Sequence, residues 1–437
     1  MSPTKAEPAV DDCPLPLPQQ RRNSLCYAGF WCLFYFAAPV TYVGATHANL
    51  LKEIGCSDTV ANLPHAFYQW CTACPILLAW FFPQPKLLKP LLVTALVAMA
   101  TVTALVALSL VTGASADVVT GTVLLFSAVF GAANGTVFTA MWEVVRRGTS
   151  TALRGRTMGL AFGFGPIFAC VGSVMQQMLM DREPLTKLSF DLEFPMNYFA
   201  LFAGAVPLIS LAAVLGSMFT VPIAEEEEGP GRLQNAIHGL KQFFTYPPVL
   251  FASIAYLVVY SGGNAIFENV SLHAKDVLSN QMGDTQGIQN FLRFSFKAVA
   301  GLALGLLLAK TNPKMTLLAT TGMLLFGMGW ALNSSGYWYL MTAGLLGAGE
   351  LFGAYFPNYV ATASSKSSVR ANIALLNLLG SFVGFASVFY GWLSDRSGRV
   401  ATFYAAASLL IVAFAFLVFC LPSKPIPAPE PSQGGGP

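Results

Sequence analysis

Three ionisable residues lie inside long apolar segments, where a charge is costly unless it faces a partner or a cavity. Arg293 and Lys297 are four residues apart in a segment that predicts a helix, so they share one face of it. Glu350 lies among glycines in another apolar segment, and small residues let helices approach closely. Two neighbouring cations repel each other and require an anion. Glu350 is one candidate for that anion, and an acidic substrate is the other.

The triad of Glu350, Arg293 and Lys297 is open to two interpretations. It is either a buried salt bridge between two helices, or a site where Glu350 binds and releases a proton during transport. Burial favours the protonated form of a carboxyl group, whereas a nearby cation favours the charged form. A change of surroundings would therefore load or release the proton, and the residue pattern does not decide between the two interpretations.

Polar and tyrosine side chains follow the faces of other apolar segments. The set consists of Tyr35, Tyr42, Gln69, Asn134, Tyr256, Tyr260, Asn264, Asn290 and Asn377. Hydroxyl, amide and aromatic groups suit a solute that offers hydrogen-bonding groups and a ring face. We predict that these residues bind the solute. Each is equally suited to hydrogen bonding between helices.

The composition places these residues in a membrane. Of 437 residues, 55% are hydrophobic and 10% are charged, whereas a soluble globular protein has about a quarter charged residues. An ordinary soluble enzyme and a disordered chain are therefore excluded. The net charge of +3 is too small to indicate nucleic-acid binding. The expected surroundings are a lipid bilayer.

Twelve apolar segments are long enough to cross about 30 Å of hydrocarbon as helices. They are predicted at 25–48, 61–83, 89–112, 118–143, 156–180, 196–221, 247–269, 287–309, 314–333, 337–362, 371–392 and 399–421. Strand-type alternation is absent from the sequence, which argues against a membrane barrel. The predicted fold class is an all-α membrane protein.

Lysine and arginine indicate the orientation, because they are enriched in cytoplasmic segments. With a cytoplasmic N-terminus, 16 of the 24 fall in inner segments and 6 in outer loops, and Arg293 and Lys297 lie within a span. We therefore predict a multi-pass protein of the cytoplasmic (inner) membrane with both termini in the cytoplasm, and we expect a monomer.

A polar linker divides the spans into two halves. The predicted units are a tail at 1–24, a six-helix bundle at 25–221, the cytoplasmic linker at 222–246, a second bundle at 247–421 and a tail at 422–437. Both tails are predicted to be disordered and cytoplasmic. The halves also match in register, since Gly131-Ala-Ala-Asn134 aligns with Gly347-Ala-Gly-Glu350 at an offset of 216. A duplicated half with the solute site between the copies is typical of secondary transporters.

The chain resembles the major facilitator superfamily in its two sets of six predicted helices, inner termini and central loop. Tyr390-Gly-Trp-Leu-Ser-Asp-Arg-Ser-Gly-Arg399 is similar to the G-x-L-x-D-R-x-G-R pattern of that superfamily. The pattern is best known there after the second helix, at the cytoplasmic gate, where this chain has FPQPKLLK at 82–89. The resemblance implies a transporter fold with two pseudo-symmetric six-helix bundles and with helices 1, 4, 7 and 10 around the cavity.

Three residues are candidates for gating. The predicted topology places Asp395 and Arg396 outside, so we expect them either to latch the outer ends of helices or to lie in a solvated loop. Glu268 lies near the outer end of the seventh span, as an interfacial residue or as a lid over the cavity.

The sequence predicts a secondary active transporter that moves a small polar or anionic organic solute by alternating access, coupled to protons. The cations favour an anionic solute, whereas the tyrosines favour a sugar, a nucleoside or an aromatic compound. The alternatives are an uncoupled facilitator and a non-transporting membrane sensor or assembly protein. A nucleotide-binding loop and a metal-binding histidine motif are both absent from the sequence, so we expect no cofactor, no metal and no enzymatic activity.

Overall fold

The structure is a computed structural model of the chain. It describes residues 13–74, 85–180, 189–222, 240–241, 243–278, 285–365 and 368–428. The regular elements within these ranges are helices, without a strand among them. The all-α prediction is confirmed.

The helices form twelve segments in the predicted order, and each segment keeps the number of its predicted span. The first half contains α1 (Leu17–Phe36, Ala38–Thr41 and Ala45–Glu53), α2 (Asp58–Cys71), α3 (Leu88–Val111), α4 (Ala116–Gly148), α5 (Thr151–Met180) and α6 (Met196–Ser217). The second half contains α7 (Pro247–Gly263 and Phe267–Leu278), α8 (Gln286–Lys310), α9 (Pro313–Asn333), α10 (Met341–Gly349 and Phe352–Ala363), α11 (Val369–Ser381 and Val383–Ser397) and α12 (Arg399–Cys420).

Nine helices in the described part of the chain are long and apolar enough to cross a membrane. The predicted spans outside this group have a simple explanation. Helices α1 and α10 are broken into shorter pieces, and the second half of the second predicted span lies outside the described residues. A broken helix frees backbone groups inside the membrane, which is tolerated where the break lines a cavity or is buried in protein.

Two separate hydrophobic cores hold the segments together. One core draws its buried residues from the first half, with Leu272 as the exception, and the other draws them from 243–421. The two cores support the interpretation of two bundles. Most of the predicted linker, at 223–239 and 242, lies outside the described residues, as do 1–12 and 429–437 of the predicted tails.

Glycines at matching positions of the sequence repeat bring helices together in both halves. A Cβ atom on Gly131 of α4 would collide with the backbone of Tyr68 on α2. A Cβ atom on Gly347 of α10 would collide in the same way with the backbone of Arg293 on α8. The repeat therefore conserves a close approach of the fourth helix of each half to the second helix of that half.

We expect Gly131→Ala and Gly347→Ala to destabilise the fold by about 1–3 kcal/mol each, because the added methyl group overpacks a backbone contact. The measurement is thermal unfolding of the purified protein in detergent. Gly121→Ala on α4 is the matched control, since nothing lies within 4 Å of its Cβ position. Equal unfolding temperatures for all three variants would contradict the close packing.

Candidate functional site

A cavity of about 570 Å³ lies between the two halves. Its lining comes from α1, α2 and α4 of the first half and from α7, α8, α10 and α11 of the second. Cavities of several hundred Å³ hold small organic molecules. The lining is rich in aromatic side chains, including Trp31, Phe138 and Phe352.

Most of the predicted binding residues meet in this cavity. The lining includes Tyr35, Tyr42, Gln69, Asn134, Tyr256, Tyr260, Asn264 and Asn377. Asn290 lies elsewhere: its Nδ2 donates a hydrogen bond to Gln176 Oε1 on α5 at 2.8 Å, and the side chain is buried. Asn290 therefore makes a hydrogen bond between helices, which is the alternative given above for every residue of the set.

The predicted set lacks several lining residues. Trp31, Phe34, Tyr68, Phe138 and Phe352 all face the cavity. An aromatic residue in an apolar helix has the same signature whether it faces lipid, the core or a cavity, so its position in sequence does not identify it. Tyr68 carries the better signal, because it is adjacent to Gln69 and accepts a hydrogen bond from Asn134 Nδ2 at 2.7 Å.

Glu350 is bound by both cations, in the geometry that the sequence predicts for a buried ion pair. Arg293 Nη2 donates to Glu350 Oε1, and Lys297 Nζ donates to Oε2 at 3.2 Å. The Glu350 side chain is 3% exposed, and those of Arg293 and Lys297 are 9% and 20% exposed. Both carboxylate oxygens therefore have a cationic partner.

Local structure explains how the carboxylate of Glu350 reaches two cations. Glu350 lies at the break between the two pieces of α10. Gly347, one turn earlier, admits the backbone of Arg293. The Arg293 guanidinium is held from its other faces by the rings of Phe267, at 3.9 Å, and Tyr42, at 5.4 Å. Cation–π contacts of this kind orient a guanidinium that has left water.

The charges of the cavity wall do not balance. Among the described residues that line it, Arg293 and Lys297 are cationic and Glu350 is the carboxylate. One positive formal charge is left over, and Lys297 is the more exposed of the two cations. A cavity of this kind attracts an anion.

Asp395 joins the two halves at the end of the molecule where α1 leads into α2. Its carboxylate accepts hydrogen bonds from the backbone nitrogens of Asp58 and Thr59, both at 2.8 Å, and from Thr59 Oγ1 at 2.5 Å. These nitrogens belong to the first turn of α2, where free N–H groups and the helix dipole favour a negative charge. The structure places Asp395 in contact with α2, and its role in gating stays a prediction.

Arg399 makes the cationic contacts that the sequence analysis did not assign. Its Nε donates to Asp58 Oδ2 at 2.9 Å, and its Nη1 donates to Asp276 Oδ2 at 2.5 Å. Arg396 is exposed, with its guanidinium 5.6 Å from the Trp392 ring centre. The signal for Arg399 was present, since it is the last residue of the motif that contains Asp395. We call Asp58, Asp276, Asp395 and Arg399 the outer latch, since the predicted orientation places them outside.

Glu268 is enclosed by other side chains, and its role in gating stays a prediction. It is 2% exposed, and its Oε1 lies 3.6 Å from Nδ1 of His65 on α2. His65 lines the cavity, so Glu268 lies one side chain away from the solute space.

The architecture is similar to that of solved transporters. A D-xylose–proton symporter has a TM-score of 0.68 at 12% identity, over 93% of this chain and 99% of that chain. A bacterial homologue of the human lysosomal transporter Spinster, inward-facing and unoccupied, has a TM-score of 0.67 at 13% identity, over 93% and 98%. FucP, a Major Facilitator Superfamily transporter in the outward conformation, has a TM-score of 0.57 at 16% identity, over 91% and 99%. The chain has the major facilitator superfamily fold. No family model and no curated protein sequence matches it.

The major facilitator fold is closed here at one end of the cavity. Hydrogen bonds between the halves occur from the cavity to the latch end. Examples join Asn49 to Ser271 at 3.0 Å, Lys275 to Glu53 at 2.7 Å and Gln176 to Gln286 at 3.3 Å. Among the described residues, none joins the halves at the opposite end. Exposed lining residues, such as Phe138 and Asn377, lie nearer to the opposite end along their own helices. With the predicted orientation, the outer end is closed.

Removing Glu350 from this major facilitator fold leaves two buried cations without a partner. We expect Glu350→Gln to lower the free energy of unfolding by about 3–5 kcal/mol, the usual effect of breaking a buried pair. Thermal unfolding in detergent measures it. Glu143→Gln on α4 is the control, because Glu143 pairs with Arg146 at 2.5 Å with 29% of its side chain exposed, and exposed pairs contribute about 1 kcal/mol or less. Equal losses of stability in the two variants would contradict a larger contribution from the buried pair.

The contacts of the outer latch predict that the protein loses stability in acid. Burial of Asp58 by itself raises its pKa, but hydrogen bonds from Arg399, Lys52 and Ser394 outweigh burial and lower the pKa from 3.8 to about 2. The resulting stability is complete above pH 4 and is lost as the pH falls from about 4 to about 2, by roughly 2 kcal/mol. The difference in unfolding free energy between wild type and Asp58→Asn should shrink across that window. A constant difference would show that Asp58 is not stabilised as an anion.

Proposed function

We propose that this protein is a secondary transporter, rather than an enzyme, that moves a small polar organic solute with an acidic group. The observation that supports this proposal is the single surplus positive charge on the wall of a buried cavity between the two halves. The transporters named above share the fold; one of them is a D-xylose–proton symporter, and another, FucP, is a fucose–proton symporter.

Lys297 is the residue at which the surplus positive charge meets the solute. Glu350 is shared by two cations and cannot neutralise both. Water in the cavity screens the surplus charge only partly, since the surrounding medium is apolar. A carboxylate or phosphate group on the solute would complete the pairing, with Lys297 as its contact because Lys297 is the more exposed cation. Hydrogen bonds to charged groups contribute about 1.5–3 kcal/mol.

The remaining lining selects the uncharged part of the solute. Tyr35, Tyr42, Tyr256 and Tyr260 offer ring faces, whereas Asn134, Asn264 and Asn377 offer amides. This combination suits a body with a ring and hydroxyl groups. A neutral sugar is the second candidate solute, favoured by the aromatic lining.

Alternating access is the proposed mode of transport. The hydrogen bonds between the halves at the latch end are short and local, so a rocking movement of one half would break them as a group. The same movement would close the cytoplasmic end and expose the cavity to the outside. We further propose proton coupling, an inner-membrane location with both termini cytoplasmic, and a monomer. Nucleic acid and cofactors have no part in the proposal.

The test is uptake into proteoliposomes of radiolabelled organic acids, sugar phosphates, neutral sugars and nucleosides. We expect an acidic solute to be taken up, and Lys297→Gln to reduce its apparent affinity by about 10- to 100-fold, the equivalent of one charged hydrogen bond. Lys310→Gln, at the exposed end of the same helix, is the matched control. Uptake of neutral solutes alone, or uptake of the acid that is indifferent to Lys297→Gln, would contradict an anionic substrate.

A further inference from the structure

Glu268 has surroundings unlike those of Glu350. Both side chains are buried, at 2% and 3% exposure. Glu350 has a cation on each oxygen. Glu268 Oε1 lies 3.6 Å from His65 Nδ1, and its Oε2 has no hydrogen-bond partner within the described residues. An ionised carboxylate in such a place is strongly disfavoured unless a cation accompanies it.

The contacts of His65 show whether it is that cation. The amide nitrogen Nε2 of Gln69 lies 2.9 Å from His65 Nε2, and Ser387 Oγ lies 2.7 Å from His65 Nδ1. An amide nitrogen only donates hydrogen bonds. With the Gln69 amide in the orientation shown, His65 Nε2 accepts this hydrogen bond and the ring proton lies on Nδ1. In this arrangement the imidazole is neutral, so it does not compensate a charge on Glu268.

The other charged groups near Glu268 are already engaged. Arg293, whose guanidinium stacks on the ring of the neighbouring Phe267 at 3.9 Å, is bound to Glu350, and these two charges act on Glu268 from α8 and α10. On α1, the ring of His47 is fully buried, and its Nδ1 accepts a hydrogen bond from Gly44 N at 3.4 Å.

The charges farther out on the same interface pair among themselves. They are the Lys52–Asp58, Lys275–Glu53, Arg399–Asp58 and Arg399–Asp276 pairs. None of these cations is within ion-pairing distance of Glu268 among the described contacts.

We propose that Glu268 and His65 form a proton-binding site, separate from the ion pair of Glu350, in which Glu268 carries the proton in the conformation shown. Its role in coupling rests on the proposed transport function, but its occupancy by a proton does not. Gly44 of α1 seals the site, since a Cβ atom there would collide with Glu268 Oε1.

The site is built across the moving interface. His65 belongs to the first half, whereas Glu268 and Ser387 belong to the second. Rocking of the halves would part Glu268 from His65 and bring water to the carboxyl group. Water stabilises the carboxylate, so the site exchanges its proton with the side to which the latch end opens.

A hydrogen-bond chain connects the proton site to the cavity. Gln69 Nε2 donates both to His65 Nε2 and to Tyr260 Oη, at 2.9 and 3.0 Å. If His65 binds a proton in place of Glu268, it does so at Nε2, and the imidazole then carries N–H groups on both nitrogens. The amide of Gln69 must then turn its oxygen towards His65, which changes what Gln69 and Tyr260 offer to a solute. Protonation of His65 therefore changes the hydrogen-bonding groups at the cavity wall.

The decisive experiment measures the proton without any solute. Infrared difference spectra of the reconstituted protein between neutral and alkaline pH report the carbonyl stretch of a protonated carboxyl group. We expect such a band at neutral pH in wild type and in Glu350→Gln, and its loss in Glu268→Gln. Glu143→Gln on α4 is the control for an exposed carboxylate. A band that disappears in Glu350→Gln and persists in Glu268→Gln would overturn the proposal, as would a wild type without a band.

A second measurement guards against a folding defect. Glutamine is isosteric with a protonated glutamic acid, so Glu268→Gln should unfold within a few degrees of wild type at neutral pH. If Glu268→Gln instead unfolds as early as Glu350→Gln, Glu268 is needed as an anion and the proposal is wrong.

Solute experiments separate the two proposals. Glu268→Gln should lose proton movement driven by the identified solute while retaining exchange of labelled for unlabelled solute. Proton movement that remains in Glu268→Gln would overturn the coupling role. If wild type moves no member of the solute panel, the transport proposal fails, and the infrared result still decides the proton site.

Discussion

The cost of a charge inside a hydrocarbon layer governs how this protein is assembled. Arg293, Lys297 and Glu350 cannot be left unpaired there, so α8 and α10 must approach until one carboxylate reaches both cations. Gly347 makes this approach possible, and the break in α10 turns the carboxylate into the interface. Once Glu350 is shared, one cation remains only partly compensated. The cavity lies beside it, and the surplus charge gives that cavity its chemical character.

The same constraint divides the remaining polar groups into two kinds. Deep in the interface, Glu268 meets neutral partners, and a proton is the means by which it avoids an unpaired charge. At the latch end water is near, and Asp58, Asp395 and Arg399 remain charged and bind one another. One set of contacts senses the proton and the other holds the halves together, and the two are joined through α2. Opening the latch end would therefore disturb both at once.

Duplication supplies the geometry on which both sets depend. Gly131 and Gly347 occupy equivalent places in the two halves, and each admits the backbone of the second helix of its own half. Asn134 and Glu350, three residues later, both reach the cavity. Two similar frames with unlike side chains at the matching position give a site that is polar on one wall and charged on the other.

The sequence by itself determined the class, the order of the helices and the composition of the cavity. Long apolar segments are typical of membrane helices, polar residues within them must face protein or a cavity, and a carboxylate must meet nearby cations. Local pattern was therefore enough to select the triad and the nine residues predicted to bind the solute, eight of which line the cavity. Tertiary structure decided which face each helix presents, because that depends on packing against distant segments. It placed Asn290 against Gln176, made Arg399 rather than Arg396 the cation of the latch, and enclosed Glu268 beside His65. These partners are more than a hundred residues apart along the chain, and no spacing rule connects them.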